Sequence, residues 1–154
     1  RAVRRGGEDG VRVRPAVVLR HGAGRREGRL KHRLLLVDGH TEEARELAGQ
    51  LRSRGWDVAL IHCARDAFDM LPRTRPAAVI TELTLPDAHG LHVARALRSM
   101  VEHDIVVVAL TRLADQLGDR ALAAGFDHVA RKPAHVDALH ARLSELVVND
   151  RLIA

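Results

Sequence analysis

The chain has 154 residues, 46% of them apolar, with one cysteine and only Trp56, Phe68 and Phe126 as aromatics. That length buries the core of one ordinary domain, Cys63 alone cannot form an internal disulfide, and no apolar run nears the ~18 residues that span a bilayer. The formal charge of +5 is unevenly placed: Arg1 to Arg33 carries eleven Lys or Arg against three acids, so the excess belongs to the N-terminal stretch and the remainder is mildly acidic.

Residues 1–30 mix Gly and Arg with no sustained period. Such a stretch buries too little apolar surface to offset its ordering entropy, and a disordered basic tail or linker is expected. A basic arm is drawn to nucleic acid or anionic membrane, but no aromatics are interleaved here for base stacking, which favours a solvated linker. The lone cysteine and the lack of a signal-peptide core suit a cytoplasmic protein.

The pattern changes at Leu34. Leu34-Leu35-Leu36-Val37-Asp38 is an apolar run ending in an acid, as expected of a strand covered on both faces. Thr41 is a plausible N-cap for a helix with Ala44, Leu47, Ala48 and Leu51 on one face and Gly55 as its stop. Asp57–His62 is a second strand, and Ala64–Leu71 a short helix ended by Pro72. Ala77–Glu82 is the third strand, followed by a Pro86-Asp87 loop and a helix over Gly90–Met100 with Leu91, Ala94 and Leu97 aligned. Ile105–Leu110 is the most apolar strand. A helix over Leu113–Ala124, a strand over His128–Arg131 and a helix over Val136–Val147 complete the domain, expected to span residues 33–148 with a short tail at 149–154. Alternating strands and helices predict an α/β fold with helices on both faces of a five-stranded parallel sheet. A doubly wound, flavodoxin-like order 2-1-3-4-5 is one solution, with a crevice at the carboxyl ends of strands 1 and 3.

That order gathers Asp38, Glu82, Thr111 and Lys132 at one rim. Singly, each is an ordinary polar strand end. Together, two carboxylates, a hydroxyl and an ammonium make a coherent phosphate or Mg²⁺ site. Other residues carry less. His89 and His92 share a helix face, and His135 and His140 lie at or near the last helix, but no zinc set is completed at helical spacing. Asp87 suits turn chemistry. Cys63 reads as a half-buried structural thiol, Trp56 as an apolar cover at the sheet edge, and Arg95, Arg98 and Arg120 as solvent-face charges.

Leu35-Leu36-Val37-Asp38, Val79 through Leu91, Ala109-Leu110-Thr111 and Ala124 through Pro133 together resemble the receiver domain of bacterial response regulators, over about Arg33 to Val148. The resemblance implies a two-component phosphorelay module that takes a phosphoryl group from a histidine kinase onto an aspartate at the end of strand 3. It also implies Mg²⁺ held by acids after strand 1, a cis Lys132-Pro133 bond, and an output or dimer face on helix 4, strand 5 and helix 5. Glu82 stands in the acceptor's place, Gly39 where a second acid is usual, Val129 where an aromatic switch residue is usual, and Arg112 where a small residue follows the switch threonine. Thr111 and Lys132 match.

The extra methylene of Glu82 moves its carboxylate by roughly 1 Å, close to the tolerance of in-line transfer. Gly39 removes a hard oxygen ligand from a cation that demands near-octahedral geometry. The expectation is a pseudo-receiver without enzyme turnover, acting on a kinase or downstream signalling protein through protein–protein contacts. Its metal site, of Asp38, Glu82 and Thr84, would be weak or absent, so the expected cofactor is none or weak Mg²⁺. Glu82 is long enough to reach toward Lys132 and form a partly buried ion pair without metal, the alternative being an inert rim. The alternatives are a working receiver that uses Glu82 with Mg²⁺, and an adaptor that binds nucleic acid or membrane through the basic tail.

Overall fold

A computed structural model of the chain describes residues 31–101 and 104–153; the basic tail of residues 1–30 lies outside them. Five strands alternate with five helices: β1 (Arg33–Val37), α1 (Thr41–Ser53), β2 (Asp57–Ile61), α2 (Ala64–Thr74), β3 (Ala78–Glu82), α3 (Gly90–Met100), β4 (Val106–Thr111), α4 (Ala114–Ala123), β5 (His128–Arg131) and α5 (Val136–Ile153). The strands form one parallel sheet in the order β2-β1-β3-β4-β5. The expected α/β fold and strand order are those observed.

The apolar runs behave as doubly covered strands must. Side chains alternate across a strand, so each run feeds two cores. Leu35, Val37, Val79, Val107 and Ala109 pack beneath α2, α3 and α4, with Leu71, Leu97 and Ala121. Leu34, Leu36, Ile80, Val106 and Val108 pack on the other face against Leu47 and Leu51 of α1 and Leu139, Leu143 and Val147 of α5. With so few aromatics, both cores are almost wholly aliphatic.

Local details depart from the sequence expectations. No side chain caps α1; His40 is its N-cap residue and Thr41 its first helical residue. Pro72 does not end α2, which continues to Thr74 and closes on Arg75 in the left-handed region at φ 45°. The ring costs the helix one backbone donor close to its end, and only one further turn had to survive it. Arg33 Nη1 then donates to Thr74 O at 2.8 Å, holding the extended end. The buried stripe of α3 is Gly90, Val93, Ala94 and Leu97, while Leu91 is only half-buried beside it. The last helix runs past Val147 to Ile153. Gly55, at φ +96°, does terminate α1 as expected, because this conformation strains any residue with a Cβ.

Two residues assigned to solvent or to turns bind other elements instead. Arg98 is half-buried and donates to Gly125 O, Ile105 O and Asp127, joining α3 to the β4 and β5 approaches. Asp87 accepts from Ala64 N at 2.8 Å and Arg65 N at 2.9 Å, so it caps α2 from a distant loop. These backbone hydrogen bonds, from Arg65 first and then Ala64, hold its carboxyl below the usual range. Trp56 is buried, as expected of a cover, and its Nε1 also donates to His140 Nδ1 of α5 at 2.9 Å.

Candidate functional site

Register brings the four predicted polar strand ends to one level. Val37 pairs with Thr81 and Glu82 pairs with Leu110, so Asp38 and Glu82 leave neighbouring strands side by side. Lys132 N donates to Thr111 O at 3.0 Å, which extends the β4–β5 ladder by one residue and aims the lysine back across the rim. All four residues are buried: Asp38 2%, Glu82 4%, Thr111 1% and Lys132 6% exposed. The Lys132-Pro133 bond is cis.

Three of the four form one charged cluster. Lys132 Nζ lies 2.6 Å from Asp38 Oδ2 and 2.8 Å from Glu82 Oε2. The expected Glu82–Lys132 pair is therefore present, and Asp38 shares its cation. Burial by itself would lower the Lys132 pKa, but hydrogen bonds to Asp38 and Glu82 and their charges outweigh it, leaving the ammonium held above its ordinary range. Buried ions in this arrangement owe their charge to one another.

The other Glu82 oxygen is also committed. Oε1 accepts from Leu83 N at 2.7 Å and from Thr84 N at 3.2 Å, so the longer side chain folds onto its own loop. Thr84 enters the site through this N–H, and its side chain is exposed. Thr111 does not join the cluster by any such bond; its Oγ1 accepts from Leu113 N at 3.1 Å.

The loop after β3 is held tightly. Thr84 bridges His89, Leu85 N donates to Ala88 O, and Gly90 N donates to Leu83 O at 2.7 Å. A Cβ on Gly90 would lie 2.5 Å from Leu83 Cα and 2.8 Å from Glu82 O, so only glycine lets α3 begin this close to the acceptor position. His89, at the α3 N-cap, accepts from Leu91 N and faces His92 edge-on with ring centroids 6.3 Å apart.

His40 reads in the sequence as no more than a helix start, yet it belongs to the rim. Its backbone N donates to Asp38 Oδ1 at 2.9 Å, and its Nδ1 lies 3.2 Å from the same oxygen. Asp38, His40 and Glu82 each offer a ligand atom within 4.8 Å of the others. The sequence signal was its place two residues after Asp38, obscured because helical periodicity begins one residue later. Gly39, between them, contributes no oxygen; a Cβ there would meet Pro86 Cδ at 3.2 Å. The donor set therefore does not fit Mg²⁺. Both carboxylates are bonded to Lys132, Glu82 also to two backbone amides and Asp38 to His40 N, so they present few free oxygens to a hydrated cation.

The rim is partly roofed. Arg112, where a small residue is usual, pairs with Glu43 of α1, and Glu43 Oε2 lies 4.0 Å from Lys132 Nζ. Between β5 and α4, Arg131 pairs with Asp115, and that bond with its charge attraction lowers the Asp115 pKa and raises that of Arg131. Val129 is half-buried against the α2–α3–α4 core.

Comparison with known proteins places this geometry. The family model described as "Response regulator receiver domain" matches residues 34–144. The response regulator MprA of Mycobacterium avium is 33% identical over 117 residues, covering 75% of this chain and 50% of its own length. The chain thus spans about half the length of the curated relatives it matches. A signal receiver domain from Bermanella marisrubri superposes with a TM-score of 0.70 at 30% identity, over 76% of this chain and 98% of that one. A CheY-like receiver domain from Methylobacillus flagellatus gives 0.69 at 25% identity, over 75% and 98%. No helix among the described residues is long and apolar enough to cross a membrane. The chain belongs to the response regulator receiver domain family of two-component signalling proteins.

Proposed function

We propose that this receiver has kept the architecture of a phosphorylation site without its reaction, and that it signals as a pseudo-receiver through protein–protein contacts. The observation that carries this reading is the complete engagement of Glu82. One oxygen accepts two backbone N–H groups and the other binds Lys132, in a side chain 4% exposed. A carboxylate nucleophile must present a lone pair in line with an incoming phosphorus, and attack by Glu82 would first have to break this set. The Arg112–Glu43 pair beside the rim adds a second barrier to a donor.

On this reading residues 33–148 are a cytoplasmic signalling domain without turnover of its own, and residues 1–30 are a linker. Its partner is a histidine kinase or a downstream signalling protein of the same pathway, met on the surface of α4, β5 and α5, which is also the face for any dimer. The test is incubation with Mg²⁺ and a small-molecule phosphodonor, followed by intact mass with and without hydroxylamine. No adduct is expected. A stoichiometric, hydroxylamine-labile adduct mapped to Glu82 would establish the chain as a working receiver and end this reading.

A further inference from the structure

A cleft of about 300 Å³ opens between α1 and the turn that joins β5 to α5. Leu47, Leu110, Pro133 and Val136 make its floor apolar, Glu43 and Glu46 stand on its α1 lip, and the buried Asp38 and Lys132 lie at its inner end. The charge around it is negative. Glu43 is paired with Arg112 and Asp38 with Lys132, whereas Glu42 and Glu46, both exposed and one turn apart on α1, have no ion-pair partner among the described residues. Like charges at that spacing disfavour a helix, and a cation beside them relieves the cost. The entry of the chain points to the same place. The His32 ring lies against Trp56 with centroids 5.8 Å apart, and Trp56 is buried with α1 and α5 on this face of the sheet. The residues before β1 therefore meet the domain beside the C-terminal end of α1.

We propose that Arg25 and Arg26 of the N-terminal tail dock in this cleft, with their aliphatic stems on Leu47 and Val136 and their guanidinium groups at Glu42 and Glu46. Residues 1–30 carry nine arginines against three acids, so the tail has the complementary sign. Its length is sufficient. Glu46 lies seven residues before Ser53 on α1, about 10 Å along the helix axis. Arg26 precedes His32 by six residues, which span roughly 20 Å when extended. Arginine suits a cleft with an apolar floor and an acidic lip, because its stem buries while its charged head stays in water. Tethering favours the tail over a free peptide of the same charge, since a short linker supplies an effective concentration in the millimolar range. The docked segment covers the approach to Asp38 and Lys132 from the α1 side. The inference gives the linker a seat on its own domain, and it stands or falls apart from the pseudo-receiver reading because no phosphodonor enters its test.

The experiment is trypsin digestion of the full chain, with initial rates of cleavage after Arg25 and Arg26 read by mass spectrometry against cleavage after Arg4 and Arg5 in the same sample. Relative cleavage after Arg25 and Arg26 is expected to be at least about threefold slower in the native chain than in Glu46→Lys, because each exposed ion pair is worth up to a few-fold and two are lost. Salt at about 1 M, where the screening length is about 3 Å, should remove the difference. Glu46 is exposed, so the variant folds, and an unchanged melting curve checks it. Amide NMR gives a second readout. Arg25→Glu/Arg26→Glu should move the resonances of Glu46 and Val136 and leave those of Asp66 and Asp69 on α2 in place, and adding Glu46→Lys to that variant should return Val136 to its native position. Equal relative cleavage in the native and Glu46→Lys chains would overturn the proposal. So would shifts confined to α2, or protection that grows with protein concentration, which would seat the tail on a second copy.

Discussion

Lys132 is the buried cation on which two carboxylates of the rim depend. Its Nζ is the shared partner of Asp38 and Glu82, with all three side chains almost wholly out of water. Removing one member of a buried ionic group costs most when charge is left unpaired. Lys132→Met leaves two adjacent carboxylates and should lower stability by about 3–5 kcal/mol, read by urea denaturation. Glu82→Gln leaves a matched Asp38–Lys132 pair and should cost only about 1 kcal/mol. An equal loss in both variants would refute this division. The same geometry sets a pH window. Lys132 has a raised folded-state pKa, so its contribution is full below the unfolded lysine value of about 10.4 and is lost only as pH rises through the higher folded value. Stability should therefore fall as pH climbs past the unfolded lysine value toward the higher folded one, a loss absent from Lys132→Met.

The loop from Leu83 to Gly90 shows how an element's start can be fixed by a missing atom. A Cβ on Gly90 would lie 2.5 Å from Leu83 Cα, so Gly90→Ala must push the helix or the loop aside. Overpacking of this kind costs about 1–3 kcal/mol, and here the strain falls on the two amides that hold Glu82. The amide resonances of Leu83 and Thr84 should move in this variant well beyond those of the distant Gly49 position, where a Cβ meets nothing within 4 Å. Legibility follows the same logic. Strands were readable because a doubly covered strand must be apolar throughout and its helices amphipathic, whereas their order was one solution among those the alternation allows and rested on the family resemblance. Asp38, Glu82, Thr111 and Lys132 were readable because a polar residue ending such a run has one place to go. What escaped depended on contacts distant in sequence. Asp87 capping α2, Arg98 bridging to Gly125, and His40 turning to Asp38 leave no period to detect. Pro72 misled because its penalty is local and a helix near its end can bear it.

At the scale of the whole molecule, three departures from the family pattern, Glu82, Gly39 and Arg112, lie at one rim outside both cores, while Val129 packs against a core. Restoring a single acid should therefore do little. Glu82→Asp shortens the acceptor but leaves the metal position without its second oxygen ligand, and Gly39→Asp adds that ligand while Glu82 still folds onto Leu83 N. The Gly39→Asp/Glu82→Asp pair should take up phosphate from a small donor in Mg²⁺, where native protein and both single variants do not, by intact mass. The side chain introduced at Gly39 must first displace Pro86 by a few tenths of an ångström, since its Cβ would lie 3.2 Å from Pro86 Cδ. A double variant that folds and stays unmodified would place the block elsewhere, with Arg112–Glu43 the next contact to remove.

Trp56 gives the molecule an optical handle on one side only. It is the chain's single tryptophan, 4% exposed, donating to His140 of α5 and tilted against His32 with ring centroids 5.8 Å apart. Its emission is therefore a report on how α5 lies against the β2 edge, uncontaminated by any other indole. The Asp38–Glu82–Lys132 rim belongs to the opposite ends of the strands from the Asp57 that follows Trp56, so chemistry confined to the rim is expected to leave this emission unchanged. A change in Trp56 emission on adding a tryptophan-free partner would mean that the surroundings of Trp56, α5 and His32 among them, had been altered.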